Sequence, residues 1–187
     1  MPAGGPLGNL GAAVLGLVAL ALLPKRYVRA RLLALLLAAF SLFWFAGYLI
    51  YAMALDDGDY VFALRGAIGE VTPIWRLVLG LAGLSLFLRT ARIVAHLLGR
   101  DGLAQRNVTA TAWLAATGAA AIAALFYGPD RGGAALQALL EIGAASLPLL
   151  LARSTAAGTA ITRSATWIGA AAALFAVFVA ILGHGLS

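Results

Sequence analysis

The hydrophobic pattern is dominated by one stretch, Leu32 to Leu55, which reads LLALLLAAFSLFWFAGYLIYAMAL. It holds about 24 residues without a charge, enough to cross a bilayer as a helix. Lys25, Arg26, Arg29 and Arg31 precede it, and Asp56, Asp57 and Asp59 follow it. An earlier apolar run, Leu7 to Leu23, opens at Pro6, whose missing N–H costs nothing in a first helical turn. Four more runs follow: Pro73 to Leu98, Val108 to Tyr127, Ala134 to Ala152, and Ala165 to Gly183. The pattern predicts an all-α, polytopic membrane helix bundle of about six transmembrane helices, with residues 1–187 forming a single transmembrane domain.

The polar segments refine this. Residues 56–72, DDGDYVFALRGAIGEVT, form the longest connection, and their semi-apolar middle, Tyr60 to Ile68, predicts a short interfacial helix. The charge-free centre of the third span, Leu77 to Leu88, is only about 18 Å of helix, so Arg76 and Arg89 are expected to snorkel or to face a polar interior. The fifth span is interrupted by Glu141 and Pro148. Small-residue stripes mark spans four (Ala115, Ala119, Ala123) and six (Ala172, Ala176, Ala180) and predict close helix packing there. The loops near 25–31, 99–106 and 153–163 are basic, and the alternate loops are acidic or balanced. The positive-inside rule then places both termini outside the cytoplasm of a bacterial-type plasma membrane. The amino-terminal run lacks the basic flank of a signal peptide, because Met1 to Asn9 hold no Lys or Arg.

Composition changes the picture in two ways. The chain has a formal charge of +6 and is 63% hydrophobic, which points to the lipid bilayer, with its anionic leaflet, rather than to nucleic acid as the electrostatic partner. It has no cysteine, which excludes disulfides, thiol catalysis and cysteine-type zinc sites. His96 and His184 are isolated, and HExxH, GxSxG and a phosphate-binding glycine loop are all missing. No metal and no cofactor is expected.

Glu141 is the sharpest candidate. An acid in mid-span is expensive in hydrocarbon and needs partners. Gln137 lies one turn earlier, and depth along the spans places Tyr48 near Glu141, with Arg76 a little further out. Trp44, Tyr48 and Tyr51 share one face of span two. Glu141, Gln137, Tyr48, Tyr51 and Arg76 form a candidate polar pocket for a proton or a substrate; the alternative is a structural tie between helices. Asp56, Asp57 and Asp59 are either oxygen ligands for a hard cation or a solvated turn around Gly58. Arg89, Arg92 and His96 share one face of span three and are either snorkelling groups or phospholipid headgroup contacts.

Gly5-Pro6-Leu7-Gly8-Asn9-Leu10, opening an apolar helix, resembles the AGPxxN segment of site-2-protease-like intramembrane zinc metalloproteases. The resemblance covers about the first 20 residues. It implies a glycine-permitted close helix approach and a hydrogen-bonding Asn9 within the membrane. HExxH is missing, and Gly128-Pro129-Asp130 is no clear match for that family's later Asp-Gly motif. The resemblance therefore implies a truncated or degenerate relative that does not cleave peptides by itself. A small transporter or a structural membrane subunit is the other expectation, with a membrane-protein partner or a second copy as its neighbour.

Overall fold

The computed structural model describes residues 4–126, 130–153, 161 and 164–182. All regular structure among them is helical: α1 (Gly4–Leu22), α2 (Val28–Leu55), α3 (Asp59–Ile68), α4 (Pro73–Arg100), α5 (Arg106–Ala124), α6 (Arg131–Ala138) and α7 (Ala165–Leu182). The end of span four at Tyr127, Gly128 and Pro129, most of the 153–163 loop, Gly183 and His184 lie outside the described residues.

Five segments are long and apolar enough to cross a membrane: α1, α2, α4, α5, and the segment Arg131–Leu151 that begins with α6. The chain is an integral membrane helix bundle. The sixth expected span corresponds to α7, whose apolar part counts as a shorter helix, Ala165–Val177, among the described residues.

Helix α2 is the axis of the bundle. It packs against α1 on one side and α4 on the other. Its buried side includes Leu35, Ala39 and Phe43, which join Leu20 of α1, Val94 and Leu98 of α4, and Leu149 in one core. Close approach of α1 needs Gly16, since a Cβ there would lie 2.7 Å from the Ala34 carbonyl oxygen. The short interfacial helix is present as α3, and Val61 buries against Ala52 and Met53 of α2.

The fifth span is not a regular helix. After α6 the backbone widens into a π-helical turn at Leu139–Ala144, then tightens into a 3₁₀ turn at Leu147–Leu151. Pro148 has no N–H to continue an α-helical ladder, which explains the break beyond Ala144. The opened backbone is satisfied from outside: Trp113 of α5 donates its indole N–H to the Gly143 carbonyl at 2.9 Å.

The small-residue stripes do not both pack. Ala119 and Ala123 are half-buried, but Ala115 is exposed; α5 packs along α6 and the irregular turns of the fifth span, with Thr117 over Gly143 and Trp113 bonded to its carbonyl. On α7, Ala172, Ala176 and Ala180 are all exposed, so that stripe is no packing face among the described residues.

One end of the bundle is held by a buried ion pair. Arg31 binds Asp101 through Nε and a terminal amino group, and donates to the carbonyls of Leu20 at 2.8 Å and Leu23 at 2.5 Å. Those two carbonyls sit at the α1 C-terminus, where backbone acceptors have no helical partner. One guanidinium thus joins the ends of α1 and α4 to the start of α2. Burial alone would raise the Asp101 carboxyl, but hydrogen bonds from Arg31 and Arg100 outweigh it and hold the group below its usual range.

Candidate functional site: an aromatic cavity around Glu141

The π-turn brings Glu141 to face α2. Its Oε2 accepts the Trp44 indole N–H at 3.2 Å, and its Oε1 accepts Gln137 Nε2 at 2.7 Å. A carboxylate offers about four acceptor positions, so capacity remains for a ligand. The carboxylate stands at the wall of a cavity of about 270 Å³. Helix α2 lines it with Trp44, Gly47, Tyr48, Ile50 and Tyr51, α4 adds Phe87, and the fifth span adds Leu140, Glu141 and Ala145.

Its aromatic wall is continuous. Trp44 and Tyr48 stack with ring centroids 4.6 Å apart, and Tyr48 and Tyr51 follow at 6.0 Å. The spacing of four and then three residues along one helical face makes this ladder. Gly47 sets the distance between the walls: a Cβ there would lie 3.0 Å from the Ala145 Cβ.

The ladder is fixed at its outer end by α3. Tyr48 Oη accepts the Asp59 backbone N–H at 3.1 Å, and Tyr60 Oη donates to the Phe45 carbonyl at 3.2 Å. Gly58 is required here twice over. Its φ is +93°, and a Cβ would come within 2.4 Å of Tyr48 Oη.

The structure therefore gathers Glu141, Tyr48 and Tyr51 around one cavity, while Gln137 is exposed outside its lining and reaches it only through its bond to Glu141. Arg76 is not among them. Its Nε and a terminal amino group donate to the Met53 and Ala54 carbonyls at 2.9 and 2.8 Å, and it approaches Asp56 at 3.6 Å. It satisfies the C-terminal carbonyls of α2. Trp44 and Phe87 are aromatic cavity residues that depth along the spans did not single out as partners, as are Gly47, Ile50, Leu140 and Ala145 among the smaller and aliphatic ones. Trp44 sits one turn from Tyr48 on the face already marked by aromatics, and that spacing was the available signal.

The three aspartates of the 56–72 connection diverge. Asp56 adopts a left-handed φ of +58° and pairs with Arg65 at 3.0 Å. Asp57 caps the Gly58 N–H at 2.8 Å. Asp59 lies toward α1, with Oδ2 3.0 Å from where a Gly5 Cβ would stand. Among the described residues no three His, Cys, Asp or Glu side chains gather as a metal site. Arg89, Arg92 and His96 are exposed on α4. At the amino end, Asn9 donates to its own helix, to the Gly5 carbonyl at 3.2 Å.

Comparison with protein-family models, with curated proteins and with solved structures returns no match.

Proposed function

We propose that this chain is a small transporter-type membrane protein that binds a compact organic cation at Glu141. It would sit in a bacterial-type plasma membrane with both termini outside. The observation that carries this reading is the pairing of one carboxylate with an otherwise aromatic and aliphatic cavity in the middle of the bundle. An apolar wall removes water and so strengthens attraction to the one charge present. Aromatic faces attract a cation by about 0.5–2 kcal/mol each and suit quaternary ammonium groups. The two N–H donors on Glu141 orient the carboxylate.

The irregular backbone supports the same reading. π-turns within α-helices occur frequently at functional sites. Here the turn places Glu141 against α2, and Trp113 stabilises it. A proton competes with the cation for the same carboxylate oxygens. The other titratable groups lining the cavity are Tyr48 and Tyr51. Exchange of the two at one site is the elementary step of a proton-coupled carrier.

Proteoliposomes containing the full chain test this. An imposed pH gradient should drive accumulation of radiolabelled benzyltrimethylammonium, and Glu141→Gln should abolish it while inserting at wild-type yield with at most a modest fall in melting temperature. Equal accumulation by wild type, Glu141→Gln and protein-free vesicles would refute the proposal.

A further inference from the structure

Helix α4 carries a polar stripe on the side turned away from the core. Its buried residues include Gly83, Thr90, Val94 and Leu98. Ser85, Arg89, Arg92 and His96 are exposed, at helical spacings of four, three and four. At 3.6 residues per turn these four fall on the face opposite the buried set. Arg89, Arg92 and His96 make no hydrogen bond or ion pair among the described residues.

Depth makes this face unusual. Phe87 packs on Phe43 with centroids 5.6 Å apart, and Gly83 and Gly80 lie against Ile50 and Met53. This antiparallel register sets Arg89 beside the midpoint of the charge-free run of α2. It is also twelve residues from Asp101, roughly 18 Å along the helix, where half a hydrocarbon core is about 15 Å. An arginine at that depth is expected to face a bundle interior or a polar partner. Arg89 instead faces outward.

We infer that the Ser85–His96 stripe is the docking face for a transmembrane helix of another protein, one that carries carboxylates near its own centre. Charge complementarity selects the partner, because two guanidinium groups one turn apart match two acids one turn apart. A second copy of this chain offers no such face. Of its seven acids, Asp56, Asp57, Asp59, Glu70 and Asp130 lie toward the other end of the bundle. Asp101 is held by Arg31, and Glu141 faces its own cavity.

The test uses a leucine-rich transmembrane peptide with two central glutamates one turn apart, and its glutamine twin. Resonance energy transfer reports association with the full chain in phosphatidylcholine vesicles. The glutamate peptide should associate at least tenfold more tightly than the glutamine peptide. The preference should vanish in Arg89→Leu/Arg92→Leu, which removes no hydrogen bond or ion pair among the described residues. Equal association of both peptides with the wild type would overturn the inference. So would dimers of the wild type, seen by single-molecule photobleaching, that dissolve in the double variant. Displacement of the glutamate peptide by phosphatidylglycerol would assign the stripe to lipid and overturn it as well.

Discussion

At the scale of single residues, charge sets the structure, and the buried Asp101 and half-buried Glu141 carboxylates differ in what surrounds them. Asp101 is answered by Arg31, which also takes two helix-end carbonyls. Breaking such a pair from one side costs about 3–5 kcal/mol. Arg31→Met should therefore lower the melting temperature sharply, as read by circular dichroism in detergent. Because the Asp101 carboxyl is depressed in the folded chain, its contribution is complete above the ordinary aspartate range, near pH 4. It drains away as pH falls through the lower folded value. Melting temperature measured from pH 6 downward should drop below about pH 4, and Asp101→Asn, already destabilised at neutral pH, should show a smaller acid-induced decrement. Glu141 has hydrogen-bond donors but no cationic partner among the described residues. Glu141→Gln keeps its size and part of its hydrogen bonding, so the melting temperature should fall by no more than about 1–3 kcal/mol of stability implies. The neighbourhood of Glu141 and Tyr48 was legible from depth alone. The destination of Arg76 was not, because depth says nothing about which way a side chain turns. The unpaired carbonyls of Met53 and Ala54 at the end of α2 decide that.

At the scale of elements, the fifth span departs most from its sequence pattern. The sequence marks the run as interrupted by Glu141 and Pro148 without showing in what form; the chain forms an α, a π and a 3₁₀ segment in succession. The missing information lay on another helix. Trp113 of α5 binds the Gly143 carbonyl, and Thr117 approaches so closely that a Gly143 Cβ would meet its methyl at 2.9 Å. Trp113→Phe keeps an aromatic ring but leaves that carbonyl with only the longer 3.5 Å contact from the Ser146 hydroxyl, at a cost of about 1–3 kcal/mol. Thermal melting should show the loss, and the cavity should bind its cation more weakly because Glu141 is no longer aimed by the π-turn. Unchanged melting and binding would mean that the turn is held by Pro148 and not by Trp113. The α7 stripe shows the opposite case. Small residues permit close packing but do not require it, and α7 leaves its stripe exposed.

At the scale of the whole molecule, the order of spans was readable because apolar length is a strong signal. Their rotation was harder to read, since helices that are apolar all round carry little amphipathic information. Cavity membership depends on that rotation, which is why Phe87 of α4 emerges only from the packing of α4 on α2. If α7 crosses the membrane as the sixth span, reporters fused after Gly102 and after Ser187 should report opposite sides. Both reporting the same side would remove α7 from the set of spans. The central claim is that the aromatic cavity is built for positive charge. It is tested most directly by calorimetric titration of the detergent-purified chain with benzyltrimethylammonium and with neopentylbenzene, its uncharged isostere. Binding of the cation should be saturable and at least about tenfold tighter than that of the neutral compound. That preference should be lost in Glu141→Gln. Equal affinity for the two compounds, or a preference that survives Glu141→Gln, would contradict it.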